Sequence, residues 1–95
     1  MTLVQAHCLG TARGWLRELT FDLASPNTHS LVDIHNLLEL ATWPHLAHEA
    51  MEFVRIHDHS IDLALRPEST LEQRKQARHA VKVYLMALRK KLSNQ

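Results

Sequence analysis

Apolar residues recur along the chain at spacings of three and four, the interval that lines one face of an α-helix. Leu9, Ala12, Leu16, Leu19 and Leu23 form the first such stripe and predict a helix from about Thr2 to Ala24. Thr2 and Gln5 have the spacing of a capping box at its start. Gly10 and Gly14 each weaken a helix interior by about 1 kcal/mol, so the firmest helical stretch is expected from Thr11 onward. Ser25, Pro26, Asn27, Thr28 and His29 read as a turn. A second helix, capped by Ser30, is predicted as far as Ala41 on the stripe Leu31, Ile34, Leu37, Leu38 and Ala41.

Thr42, Trp43 and Pro44 interrupt the pattern. Proline suits the first turn of a new helix, and the residue before it is driven out of the αR region. A third helix is expected from Pro44 to Leu65, burying Leu46, Ala50, Phe53, Val54, Ile61, Ala64 and Leu65, with His57 inside that stripe. Arg66, Pro67 and Glu68 end it. The fourth helix starts at Ser69 or Thr70, where Ser69 and Glu72 have capping-box spacing, and runs to about Leu92. Its stripe is Ala77, Val81, Tyr84, Leu85, Leu88 and Leu92, and Ser93, Asn94 and Gln95 are expected to fray. Short links favour antiparallel neighbours. The prediction is an all-α fold: a small antiparallel helical bundle of about four helices, two helical hairpins, in one domain over residues 1–95, with a kink or break at Pro44.

Composition agrees. Sixteen Leu stand against eight Val and Ile, which favours helix over strand. The chain is 45% hydrophobic with a net charge of +1, which excludes whole-chain disorder. A single cysteine, Cys8, excludes an internal disulfide framework and a cysteine-rich zinc site. No apolar run approaches the roughly 20 residues that span a bilayer. No basic residue precedes Arg13, and Gln5, His7 and Gly10 break the first apolar stretch, unlike a secretory signal. A cytoplasmic location with no membrane partner is expected.

Charge is split along the chain. Residues 1–65 carry three arginines against eight carboxylates, −5, whereas residues 66–95 carry eight cations against two carboxylates, +6. The cations Arg74, Lys75, Arg78, Lys82, Arg89, Lys90 and Lys91 offer a surface for nucleic acid or another polyanion. They also complement the C-terminal helix dipole, or pair with acidic helices of the same chain or of a dimer mate. Only Tyr84 is aromatic on that helix, which gives no stacking platform for bases. The segment from Leu31 to His57 has helix-turn-helix lengths, but Glu49 and Glu52 in its second helix would repel phosphates.

Eight histidines are the most unusual feature of the composition. His45, His48, Glu49 and Glu52 lie at i, i+3, i+4 and i+7, and His45, His48 and Glu52 are the candidate metal ligands. His57, Asp58, His59 and Asp62 form a second group. Neither Glu-x-x-His nor His-Glu-x-x-His occurs, so no resident metal or other cofactor is expected. The histidines also raise the prospect of self-association or partner binding that weakens between about pH 7.5 and 5.5.

Catalytic constellations are absent from the pattern. Cys8 beside His7 lacks the third group that orients a nucleophile–base pair, and two glycines make no phosphate loop. The spacing of Gly10 and Gly14 is that of a tight helix crossing. The expectation is a small non-enzymatic interaction module, of adaptor, chaperone or inhibitor type, that binds another protein or itself through an apolar helix face. Apolar residues outside the main stripes supply the candidates: Trp15, Leu40, Trp43, Met51, Ile56, Leu63, Val83 and Met86. Polyanion binding through the fourth helix and a His/Glu metal bundle are the alternatives.

Overall fold

The computed structural model describes residues 2–23 and 31–93, with side chains placed for residues 2–19 and 35–91. Four helices pack against one another: α1 Leu3–Leu23, α2 Leu31–Leu40, α3 Ala47–Ala64 and α4 Leu71–Ser93. The predicted turn over Ser25–His29, the Ser30 cap and the last two residues lie outside the described residues.

Local chemistry accounts for the boundaries. At the start of α1, the Thr2 N–H donates to Gln5 Oε1 at 2.9 Å and the Gln5 N–H to Thr2 Oγ1 at 3.1 Å, the reciprocal capping box. Helix α1 begins there and passes through both glycines without a break. The predicted start near Thr2 is thus met, and packing of the apolar face outweighs the two weak glycine positions. Among the described residues nothing lies within 4 Å of a methyl built on Gly10 or Gly14, so neither marks a close helix crossing there.

Helix α2 ends at Leu40. Trp43 takes an extended backbone (φ −73°, ψ 126°), and Pro44–Leu46 form a 3₁₀ turn with proline at its start. Leu46 (φ −101°, ψ 9°) then leads into α3, so Pro44 marks a true break between two helices. At the start of α4 the capping pair is Thr70 with Gln73, at 2.9 and 3.1 Å, one position beyond the expected Ser69 with Glu72. The Ser69 hydroxyl is engaged elsewhere, accepting from Arg74 Nε at 2.8 Å.

Helix α1 lies mainly on α3 and also touches α4 and α2, while α3 and α4 pack along each other. The core joins Leu9, Ala12 and Leu16 of α1 to Leu46, Ala50 and Ile61 and to Val81, Tyr84 and Leu88. Three rings tie three helices together. Trp15 meets Phe53 edge-on at 5.3 Å, and Phe53 stacks on Tyr84 at 4.2 Å, 3° from parallel. Two residues expected outside the stripes are therefore inside: Trp15 and Leu40 are each only 8% exposed. Leu65, expected inside, is exposed at the end of α3. Among the described residues no helix is long and apolar enough to cross a membrane.

Candidate functional site: an open groove between α3 and α4

The link between α3 and α4 is short, so α4 returns antiparallel along α3. Lys91 Nζ, near the end of α4, donates to Glu49 Oε1, near the start of α3, at 3.0 Å. That pair sets the register, and Ile56 then falls level with Val83. Both line a groove of about 310 Å³ whose walls, among the described residues, come from α3 and α4. Phe53 and Tyr84 are its buried floor, Ala80 and Ala87 keep the α4 wall low, and His48, Glu52 and His57 sit along the α3 side. Ile56 and Val83 are 57% and 50% exposed on its two walls.

The groove has a polar base. Glu49 Oε2 and the Tyr84 hydroxyl are both buried and have no hydrogen-bond partner among the described residues. Burial alone would push the Glu49 carboxyl up. The hydrogen bond from Lys91, a backbone N–H and the charges of Lys91 and His48 outweigh it and hold the group below its ordinary value. Burial, reinforced by the negative charge of Glu49, pushes the Tyr84 phenol well above its ordinary value. The pair thus stays a carboxylate beside a phenol with its proton. Burial also lowers the His57 imidazole, helped by His79 on α4. His57 rests 5.6 Å from the Phe53 ring.

The candidate partner residues scatter. Ile56 and Val83 line the groove, Leu63 is half-buried further along α3, and Met86 is 61% exposed on the outer side of α4. Trp15 is in the core, whereas Trp43 and Met51 are half-buried and pack against it. The candidate metal trio is not brought together. His45 belongs to the 3₁₀ turn, where its ring packs on Trp43 at 5.3 Å, so the helical register from His45 to His48 and Glu52 is lost. Glu52 is paired with Arg55 at 2.9 Å. Among the described residues no three His, Cys, Asp or Glu side chains converge as a metal site.

The cations of α4 divide by face. Arg78, Lys82 and Arg89 follow one side at helical spacing, Arg78 half-buried, whereas Lys91 reaches across to Glu49. Arg74 serves the Ser69 turn, and Lys75 and Lys90 are exposed. A second, polar recess of about 360 Å³ lies between α1 and α2, lined by Arg13, Arg17, His35, Leu38, Glu39 and Thr42. Its Thr42 hydroxyl is already used, donating to the Glu39 carbonyl at 2.7 Å.

No family model, curated protein or solved structure matches the chain. Sequence reasoning flagged Ile56 and Val83 but missed Glu49 and Tyr84 as members of the same site. Their partnership depends on the α3–α4 register, and no local spacing records an approach between residues 35 positions apart.

Proposed function

We propose that the chain is a non-enzymatic protein–protein interaction module whose contact surface is the open face of the α3–α4 hairpin. The observation that carries this reading is the apolar groove flanked by the exposed Ile56 and Val83. Leu63, half-buried on α3, extends the apolar strip. Removing such a strip from water is worth about 25 cal/mol per Å², the dominant favourable term in most protein association. A helix face of another protein, or a second copy, is the natural shape to fill a trough between two helices. The module works in the cytoplasm, a location supported by the lone cysteine, which is buried in α1.

Polyanion binding has less support. Lys91 is engaged by Glu49, and the one Tyr of α4 is buried under Phe53, leaving no aromatic on that helix for a base to stack on.

The test is a photo-crosslinking amino acid placed at Val83 in the native host. The expected result is a covalent protein adduct of defined mass, lost when Ile56→Glu is added. No adduct, or one indifferent to Ile56→Glu, would overturn the assignment of this face.

A further inference from the structure

The recess between α1 and α2 gathers cations in an acidic part of the chain. Residues 1–65 carry three arginines among eight carboxylates. Arg55 pairs with Glu52. Arg13 and Arg17 have no hydrogen-bond or ion-pair partner among the described residues, although carboxylates outnumber them. Both line the same recess of about 360 Å³. They stand four residues apart on α1, so they rise from one helix face with Cβ atoms about 5–6 Å apart. His35, Leu38, Glu39 and Thr42 make the opposite wall, at i, i+3, i+4 and i+7 along α2 and just past its end. Leu38 is packed against the core and forms the apolar base.

A guanidinium is a planar fork of N–H donors that keeps its charge and matches phosphate oxygens in pairs. Two forks on one wall and an imidazole on the other place donors on both sides of a bound phosphate. Glu39 is the one carboxylate in the lining, and it makes no ion pair with either arginine. With the imidazole neutral, two cations and one carboxylate leave the lining at +1. A doubly charged anion gains about twice as much from that charge as a singly charged one. An ionised carboxylate only accepts hydrogen bonds. Beside a phosphate, Glu39 therefore repels the anion itself but takes an O–H from the rest of the ligand.

We propose that the α1–α2 recess binds a small soluble phosphate monoester that carries a free hydroxyl. Arg13 and Arg17 hold the phosphate, and Glu39 accepts from the hydroxyl. The volume, about 360 Å³, lies at the low end of the roughly 300–1,000 Å³ of small-molecule sites. The recess shares no residue with the α3–α4 groove, so this site and the protein-binding face stand or fall separately.

Titration followed by NMR tests the site, with inorganic phosphate and glycerol phosphate as probes and sodium chloride at matched ionic strength as the control. The expected result is saturating shifts of the Arg13 and Arg17 side-chain N–H signals, with a dissociation constant of about 1 mM for glycerol phosphate and weaker binding of inorganic phosphate. Arg13→Gln and Arg17→Gln, both at exposed positions that leave the fold intact, should each weaken binding by about tenfold. Glu39→Gln separates this geometry from plain charge. It should tighten inorganic phosphate and erase the preference for the ester. Shifts that stay linear and match those in chloride would overturn the site. A wild-type chain without an ester preference, or a preference that survives Glu39→Gln, would overturn the hydroxylated ester as its ligand. Binding to phosphatidic acid vesicles with no response to glycerol phosphate would overturn the soluble ester in the same way.

Discussion

Burial holds the His57 imidazole below the ordinary histidine value of 6.5, and His79 across the groove acts in the same direction. A depressed folded-state value means that the native chain resists protonation more than the unfolded chain does. Its stability is fully present above 6.5 and is lost as pH falls through the lower folded value. The contribution of His57 to stability therefore falls on the acid side of neutrality. Thermal melts should show a lower midpoint at pH 5.5 than at pH 7.5, and His57→Gln should narrow the difference. A difference unchanged by His57→Gln would put the acid sensitivity on other histidines. The residue scale is also where the sequence was least legible. Trp15 and Ile56 both stand outside the predicted main stripes, yet one is 8% and the other 57% exposed. Trp15 stands three residues after Ala12 and four before Leu19, so it shares their buried face and meets Phe53 on α3, whereas Ile56 lies on the open side of α3. Periodicity thus already carries Trp15, but it does not say which helix faces are left uncovered.

At the scale of elements, periodicity and capping chemistry made most of the fold readable. The four helices, the break at Pro44 and the Thr2–Gln5 cap follow from local rules. The fourth helix shows the limit of such rules. Ser69/Glu72 and Thr70/Gln73 both satisfy the capping pattern, and the side chain of Arg74, by engaging Ser69, leaves Thr70 to cap. Helix α1 offers a direct test of the packing account. Gly10 and Gly14 are helical and face open space, so a methyl group meets no obstacle at either position. Gly10→Ala and Gly14→Ala should each stabilise the chain by about 0.5–1 kcal/mol. The double variant should melt several degrees higher, at roughly 4–8 °C per kcal/mol. Unchanged or lower midpoints would mean that these glycines do meet something, and that α1 has a neighbour on its outer side.

Across the whole molecule, the described helices form a slab 37 × 31 × 17 Å, thin enough for only two layers. Helix α1 covers one side of the α3–α4 hairpin. The groove on α3 and α4 is lined by no described residue of α1 or α2. A chain of 95 residues has a modest core, and small domains of this kind commonly gain stability by association. The charge split, −5 then +6 along the sequence, was plain from the residues alone. Its geometric meaning was not, because the approach of Lys91 on α4 to Glu49 on α3 depends on the hairpin register. Docking through the α3–α4 face would bury Ile56 and Val83. Crosslinking from a photoreactive residue at Val83 in the native host tests this most directly. The account predicts a protein adduct of defined mass, whether a second copy at twice 10.9 kDa or a different protein, and its loss when Ile56→Glu is added. No adduct, or one that survives Ile56→Glu, would contradict it.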